Sequence, residues 1–393
     1  MQKLRIQNFG PIKDGFTDSK DGFFVISKLT LFVGDQGTGK STIAKIISLF
    51  SWLEKQYQNQ EATFFSFTKS DFEERFLSFH RIDTFLSTDT KIEYISNTCT
   101  ILYENDKLEI KYLNKLYIRP KVLYIPAERS YCTAISNPNK VSGISTNVLS
   151  FLSDYYDAAK AQKGNKVLLP LNGYEFRFSE FENTAYISDK KNNYEIIIEQ
   201  ASSGLQSITP LYITINYFLN KLSLPINKRY NELSLFQLDE LNSLNEKNDI
   251  HGNLFKAEIE KIVNSRLVCI IEEPEQSLFP TSQYELIMNI LKGFSNKTNN
   301  SLVITTHSPY ILETINNCIY ANSIKESGKD IQNLIPIDSL ISFENVNAYK
   351  IENGKIHSIM DTEIKQIDSG AIDACSTIIN DTYTKLTDID FGD

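Results

Sequence analysis

The chain has 393 residues, roughly two to three domains' worth of polypeptide, and its 41% hydrophobic and 23% charged content is that of a globular protein. A net charge of −9 argues against a uniformly basic nucleic-acid binder, while leaving room for a local basic patch. The cysteines (Cys99, Cys132, Cys269, Cys318, Cys375) are odd in number, widely spaced and without a C-x-x-C pair, so neither a disulfide framework nor a zinc site organises the chain. With no signal-peptide pattern and no apolar run of about 18 residues, the expected setting is cytoplasmic, without a membrane partner.

In chain order, Lys3–Phe9 alternates as a strand and Gly10-Pro11 ends it. Leu29–Val33 reads as a buried strand. It leads into Gly34-Asp35-Gln36-Gly37-Thr38-Gly39-Lys40-Ser41, which fits G-x-x-x-x-G-K-[ST]. The run from Ser41 and Thr42 onward reads as a helix, with Ile43, Ile46, Ile47 and Phe50 on one face. Strand, loop and helix in that order carry more weight than the pattern alone. Glycines let backbone N–H groups turn toward phosphate oxygens, and the helix start adds a positive dipole end. Lys40 is expected to reach the β- and γ-phosphates, and the Ser41 hydroxyl to ligate Mg²⁺.

Residues 58–199 differ in character. Ile101–Tyr103 and Leu108–Ile110 flank Asn105-Asp106 as an antiparallel pair. Tyr186-Ile187 and Tyr194–Ile198 do the same across 190–193. A helix is expected over about 147–162. Val122–Ser130 is a strand with a polar exit, in which Glu128 and Arg129 form either a structural ion pair or part of a nucleotide-sensing loop. From 205 to 265 the pattern is mainly helical, with a polar stretch at 225–251. Asn353-Gly354 between two alternating runs is a hairpin signal. Ile364, Ile367, Ala371, Ala374 and Ile378 fit one face of a last helix.

Three further segments carry chemistry. Val268–Ile271 is a buried strand that delivers Glu272 and Glu273 at its end. Adjacent strand residues point opposite ways, so one carboxylate can face a metal shell and the other an attacking water. Glu272 is assigned to the metal and Glu273 to the water. Ser301–Thr306 is a second buried strand, ending in His307-Ser308-Pro309, and a ring N–H of His307 there can donate to a γ-phosphate oxygen. Gln200–Gln206 places Ser202, Ser203 and Gly204 at a helix start, where hydroxyls and N–H groups suit an anion. Taken alone, each of these three has a bland reading: an acidic turn, a structural histidine, an ordinary N-cap.

Order and spacing together resemble an ABC-type ATPase head of the RecF/SMC/OLD-like group. Leu4–Ile12 resembles that group's opening strand, and Ser202-Ser203-Gly204-Leu205-Gln206 its signature motif. Glu272–Pro280 resembles its Walker B and D-loop, and Thr306–Pro309 its switch histidine. The resemblance covers about 1–57 and 200–320 and is weaker elsewhere. It departs from transporter-type heads at Glu272, where aspartate is usual, and at Ser203, where a second glycine is common. Heptad insertions, a zinc hook and a TOPRIM acidic pair are missing; Asp388-Ile389-Asp390 reads as a solvated tail.

The resemblance implies an α/β fold, a P-loop NTPase of ABC type with a mixed-sheet core, an antiparallel β subdomain and a helical subdomain. The division expected is 1–57 (core with P-loop), 58–199 (inserted region), 200–320 (signature helix, Walker B and switch histidine) and 321–393 (hairpin and helix). It further implies ATP and Mg²⁺ as ligands, with Gly34 to Thr42 of one chain and Ser202, Ser203, Gly204 and Gln206 of another closing on each nucleotide in a homodimer or higher homo-oligomer. Compact heads of this kind resemble the ATPase subunits of anti-phage systems such as Septu or PARIS, whose effector, a nuclease or toxin, is a separate chain. A RecF-like DNA-binding ATPase and a nucleotide-dependent scaffold with negligible turnover are the alternatives, so nucleic acid remains a possible partner.

Overall fold

The computed structural model describes residues 2–58, 64–113, 117–135, 141–171, 173–224, 264–295, 299–370 and 380–386. Expectations for 225–251, Ala371, Ala374, Ile378, Cys375 and 388–390 fall outside these residues.

A seven-stranded mixed sheet forms the centre, in the order β2 (Gly15–Phe16), β17 (Lys355–Ser358), β16 (Val346–Glu352), β4 (Leu29–Val33), β15 (Ser301–Thr306), β14 (Arg266–Glu272), β9 (Pro120–Ile125). Strands β16, β4, β15, β14 and β9 are mutually parallel. Such strands are covered on both faces, which is why they read as unbroken apolar runs. On β14, Leu267, Cys269 and Ile271 enter one core while Val268 and Ile270 enter the other. Strand β15 divides the same way, Leu302 and Ile304 against Val303.

One core lies between this sheet, helix α1 (Lys40–Tyr57) and a six-stranded antiparallel sheet. That second sheet runs β3 (Phe24–Ile26), β1 (Gln2–Gln7), β6 (Lys91–Ile95), β7 (Cys99–Glu104), β8 (Lys107–Tyr112), β5 (Phe64–Thr68). Ile43, Ile46, Ile47 and Phe50 of α1 are all buried in this core, as their spacing requires.

The other face carries α4 (Thr146–Lys160), α5 (Ser203–Ser223), α6 (Pro280–Leu291) and α7 (Pro309–Glu326). It also carries a four-stranded meander, β10 (Val167–Leu168), β11 (Tyr174–Ser179), β12 (Thr184–Asp189) and β13 (Tyr194–Ile197). Two short helices, α2 (Lys69–Asp71) and α3 (Tyr131–Ala134), complete the helices named here.

Turn chemistry sets the hairpins. Asn105 and Asp106 take φ 52° and 59°, and Asn353 and Gly354 take 51° and 77°, the left-handed pairs that match strand twist. Two features differ from the sequence reading. Strand β9, inside the 58–199 region, is an edge strand of the central sheet beside β14. Ile364 and Ile367 do not begin a helix. Asp361 Oδ1 accepts from the N–H groups of Glu363 and Ile364 at 2.9 and 3.1 Å, and Asn316 of α7 brackets Ile367 through both its N–H (2.8 Å) and its carbonyl (2.9 Å). Gln366–Ile367 is instead strand β19, paired with β18 (Met360–Asp361). Side-chain capture of the backbone outweighs a weak helical period there.

Candidate nucleotide site

The phosphate loop turns on three glycines in the left-handed half of φ: Gly34 at 145°, Gly37 at 75° and Gly39 at 112°. Two are also sterically required. A Cβ on Gly34 would lie 2.3 Å from the Ile351 carbonyl oxygen, and one on Gly39 would lie 2.6 Å from Ile12 Cδ1. The opening hairpin thus roofs the loop, giving Pro11-Ile12 a structural purpose. Gly39 caps the 18-residue helix α1, whose first turn contains no acidic residue, so the positive dipole end stays uncompensated. Asp35, Gln36 and Gly37 are exposed, and the Thr38 hydroxyl donates to the Asp35 carbonyl at 2.9 Å. Lys40 is buried, and its ammonium donates to the carbonyls of Gly34 and Asp35, each at 2.7 Å. Burial lowers its pKa, while the carboxylates of Glu273, Asp35 and Glu275 pull the other way.

The two carboxylates at the end of β14 occupy different surroundings. Glu272 is 4% exposed and accepts hydrogen bonds from the Tyr124 and Ser41 hydroxyls. Burial pushes its carboxyl above the ordinary range, against those two bonds and the charge of Lys45. Glu273 leaves the strand at φ 44°, a costly conformation for a side chain of this size and one characteristic of functional turns. Two contacts hold its backbone there, and a third ties Glu275 of the same turn to the residue beyond β15. Its N–H donates to the Thr305 carbonyl at 2.9 Å, Arg129 donates to its carbonyl at 2.7 Å, and Glu275 Oε1 accepts from the neighbouring His307 N–H at 2.7 Å. The Glu273 carboxylate then lies 3.6 Å from His307 Nε2. That imidazole holds the Glu273 carboxyl below its usual value, with Lys40 and Arg129 adding to the effect. Glu272 and Glu273 are therefore separated by environment as well as direction, one carboxyl buried and shifted upward, the other partly exposed and shifted downward.

Three residues given no assigned role by the motifs build this turn. Glu275 clamps β15 to it, and burial raises its own pKa. Tyr124 of β9 steadies Glu272. Arg129 is fully buried and its guanidinium donates to backbone carbonyls: Glu272 and Glu273 at 2.7 Å each, Ser207 at 3.2 Å and Pro126 at 3.3 Å. Burial lowers its pKa to about 10. Glu128 is exposed, so the ion-pair reading of Glu128 and Arg129 gives way to an arginine that pins the Glu272–Glu273 turn. The only signal in the sequence was an arginine just beyond a core strand.

The signature segment sits apart from this cluster in character. Ser202 caps α5 by accepting from the Leu205 N–H at 3.5 Å, and Ser202 and Ser203 are exposed. A Cβ on Gly204 would lie 2.8 Å from the Ser277 carbonyl oxygen, so glycine is needed where α5 meets the loop after the carboxylates. The Gln206 amide donates to the Ile198 and Glu199 carbonyls at 3.2 and 2.9 Å and thus braces the preceding turn. Pro210 lies inside α5 and has no N–H for the Gln206 carbonyl; the Thr133 hydroxyl supplies that donor at 2.7 Å.

Fold and site together define an α/β architecture with a mixed-sheet core, a phosphate-loop sequence between a parallel strand and a helix, an antiparallel β subdomain and a helical layer. No family profile and no curated relative matches the sequence. Solved structures similar to it include an SMC head bound to the C-winged helix domain of ScpA (11% identity, 91% of this chain and 96% of that one, TM-score 0.38). An SMC head domain from Thermotoga maritima aligns at 12% identity over 91% of this chain and 97% of that one, TM-score 0.36. A dimeric ATP-binding cassette in a post-hydrolysis state with ADP and Pi aligns at 11% identity over 91% and 96%, TM-score 0.28. Among the described residues, no helix is long and apolar enough to cross a membrane.

Proposed function

We propose that the chain is an ATPase that binds ATP with Mg²⁺ on its phosphate loop and closes as a homodimer around two nucleotides. The observation that carries this reading is the convergence of Lys40, Ser41, Glu272, Glu273 and His307 at the ends of adjacent parallel strands. The donors beside Ser41 fit the metal. The Ser41 hydroxyl meets the buried Glu272 carboxylate, and the buried Thr305 hydroxyl, on the strand position paired with Glu272, has no hydrogen-bond partner among the described residues. An all-oxygen set with few protein ligands suits Mg²⁺, which keeps waters and phosphate oxygens. Bound there, it would offset charge on the β- and γ-phosphates. Lys40 adds the point charge on those phosphates. Glu273, kept ionised beside His307, orients a water and takes its proton. His307 donates to a γ-phosphate oxygen.

Ser202 and Ser203 are exposed at the start of α5, which suits contact with a nucleotide held by a second copy. In this reading a γ-phosphate bridges two subunits and its loss opens them. Three charge-assisted bonds, each worth roughly 1.5–3 kcal/mol, suffice to switch such an equilibrium. The dimer would act as a clamp that controls a separate effector, a nuclease or toxin, in anti-phage defence. The deciding measurement is equilibrium ATP binding with Mg²⁺, paired with Lys40→Ala. Loss of affinity by about a hundredfold or more is expected; retention within about threefold would remove the nucleotide reading.

A further inference from the structure

A cavity of about 370 Å³ lies between α1, the segment 72–80, β9 and α4, within the roughly 300–1,000 Å³ of small-molecule sites. None of the phosphate-loop residues lines it, and of its own lining only Tyr124 touches the site described above. One side is aromatic: Trp52, Phe76 and Phe79, with the Trp52 and Phe76 rings 6.2 Å apart. The polar side is short of partners. His80 is 2% exposed and Asn147 5% exposed, yet His80 Nδ1 and Asn147 Oδ1 are buried without a hydrogen bond among the described residues. Buried polar atoms of native proteins are normally paired, so two orphans on one cavity wall need an explanation.

Charge points the same way. Of the cations lining the cavity, Lys121 is paired with Asp154 at 2.7 Å and Arg75 with Asp71 at 3.4 Å. The Lys55 ammonium has neither hydrogen bond nor ion pair among the described residues. Burial, reinforced by Arg119 and Lys121, lowers its pKa to about 7, so it would gain from an incoming negative charge. Desolvation keeps His80 neutral at physiological pH, with its pKa near 3, so the imidazole does not duplicate that demand.

We propose that this cavity is a binding site for a small aromatic anion carrying a hydrogen-bond donor, its ring against Trp52 and Phe76, its charge on Lys55 and its donor on Asn147. An occupant would touch Tyr124, which lines the cavity, meets the His80 ring at 4.7 Å and hydrogen-bonds Glu272.

Trp52 is the one tryptophan of the chain, so its fluorescence reports occupancy directly. The probe is 4-nitrophenyl phosphate, titrated into the full chain and into Lys40→Ala, the latter excluding quenching from the phosphate loop. Saturable quenching is expected in both, with neutral 4-nitroanisole and cationic 4-nitrobenzylamine at least tenfold weaker. Lys55→Met should weaken the phosphate ester about tenfold while leaving its weak response to 4-nitroanisole unchanged, which also reports that the cavity is still formed. Asn147→Leu supplies a second, uncharged change and should retain binding of this probe, which lacks a donor. Linear, non-saturating quenching, or equal affinity in Lys55→Met, would overturn the site. Quenching lost in Lys40→Ala alone would assign it to the phosphate loop and overturn it equally. None of these outcomes depends on ATP turnover.

Discussion

The turn at Glu272–Glu275 and the serine-rich start of α5 both present polar groups near one end of the central sheet, yet they are built in opposite ways. Three backbone groups of the turn are held from other elements: the Glu273 N–H by the Thr305 carbonyl of β15, and the Glu272 and Glu273 carbonyls by Arg129. The start of α5 is braced from behind, by Gln206, by the Thr133 and Arg129 bonds to the Gln206 and Ser207 carbonyls and by the close approach of Gly204 to Ser277, while Ser202 and Ser203 themselves are exposed. A group that must take a proton at a fixed distance needs a rigid mount. A group that meets a ligand on another molecule needs access. Under the proposed function, the contrast would give the chemistry to one chain and its licensing to a second.

Glu273→Gln tests the rigid half and carries the largest expected effect. Turnover should fall on the order of 10²–10⁴-fold with ATP affinity retained, since the amide keeps the shape and cannot take a proton; dimers should accumulate with ATP on gel filtration. Phosphate release at the wild-type rate would shift the role to Glu272. Gly204→Arg tests the outward half. It should abolish turnover by blocking closure and leave ATP binding by the same chain intact. Mixed with Lys40→Ala, also inactive alone, it leaves one complete site per heterodimer, the intact loop facing the intact signature. Recovered phosphate release would establish action across the interface. Full activity of Gly204→Arg alone would end that reading.

His307→Ala sharpens the electrostatics. A carboxyl held below its usual pKa contributes stability above its unfolded-state pKa and loses it as pH falls through the lower folded value. Without His307 the Glu273 pKa should rise, so the acid limb of the kcat profile should move to higher pH by about one unit. An unmoved limb would mean that His307 does not tune Glu273. The smallest effect is expected for Glu272→Gln in the absence of nucleotide. The Glu272 pKa is raised by burial, so its ionised form weakens the fold once pH exceeds the unfolded-state value. The amide should stabilise by about 1 kcal/mol at pH 8, seen as a higher Tm, while Mg²⁺-dependent ATP affinity drops.

The same contrast explains what could be read in advance. Lys40, Ser41 and the glycines lie in one contiguous motif, so sequence reached them directly. Glu272, Glu273 and His307 sit at the ends of unmistakable core strands, so sequence could place them, though not the 3.6 Å approach of His307 to Glu273. Arg129, Tyr124 and Glu275 matter only through residues far away in the chain, and nothing local to them announces it. Strand β9 escaped notice as part of the central sheet because its partner β14 follows it by well over a hundred residues. The Ile364–Ile367 error was local: isoleucines three apart suit a helix, but Asp361 and Asn316 bind the backbone first.

Arg129 and Thr133 also reach α5, through the Ser207 and Gln206 carbonyls, the latter left without a helical donor by Pro210. One guanidinium therefore joins the Glu272–Glu273 turn to α5, the helix whose tip would read a neighbour's nucleotide in the proposed dimer. Any tilt of α5 on engagement strains the same two carbonyls that fix Glu272 and Glu273. Each subunit would then register, at its own cutting edge, whether it is gripping a loaded neighbour, so the two halves of a dimer would fire in concert.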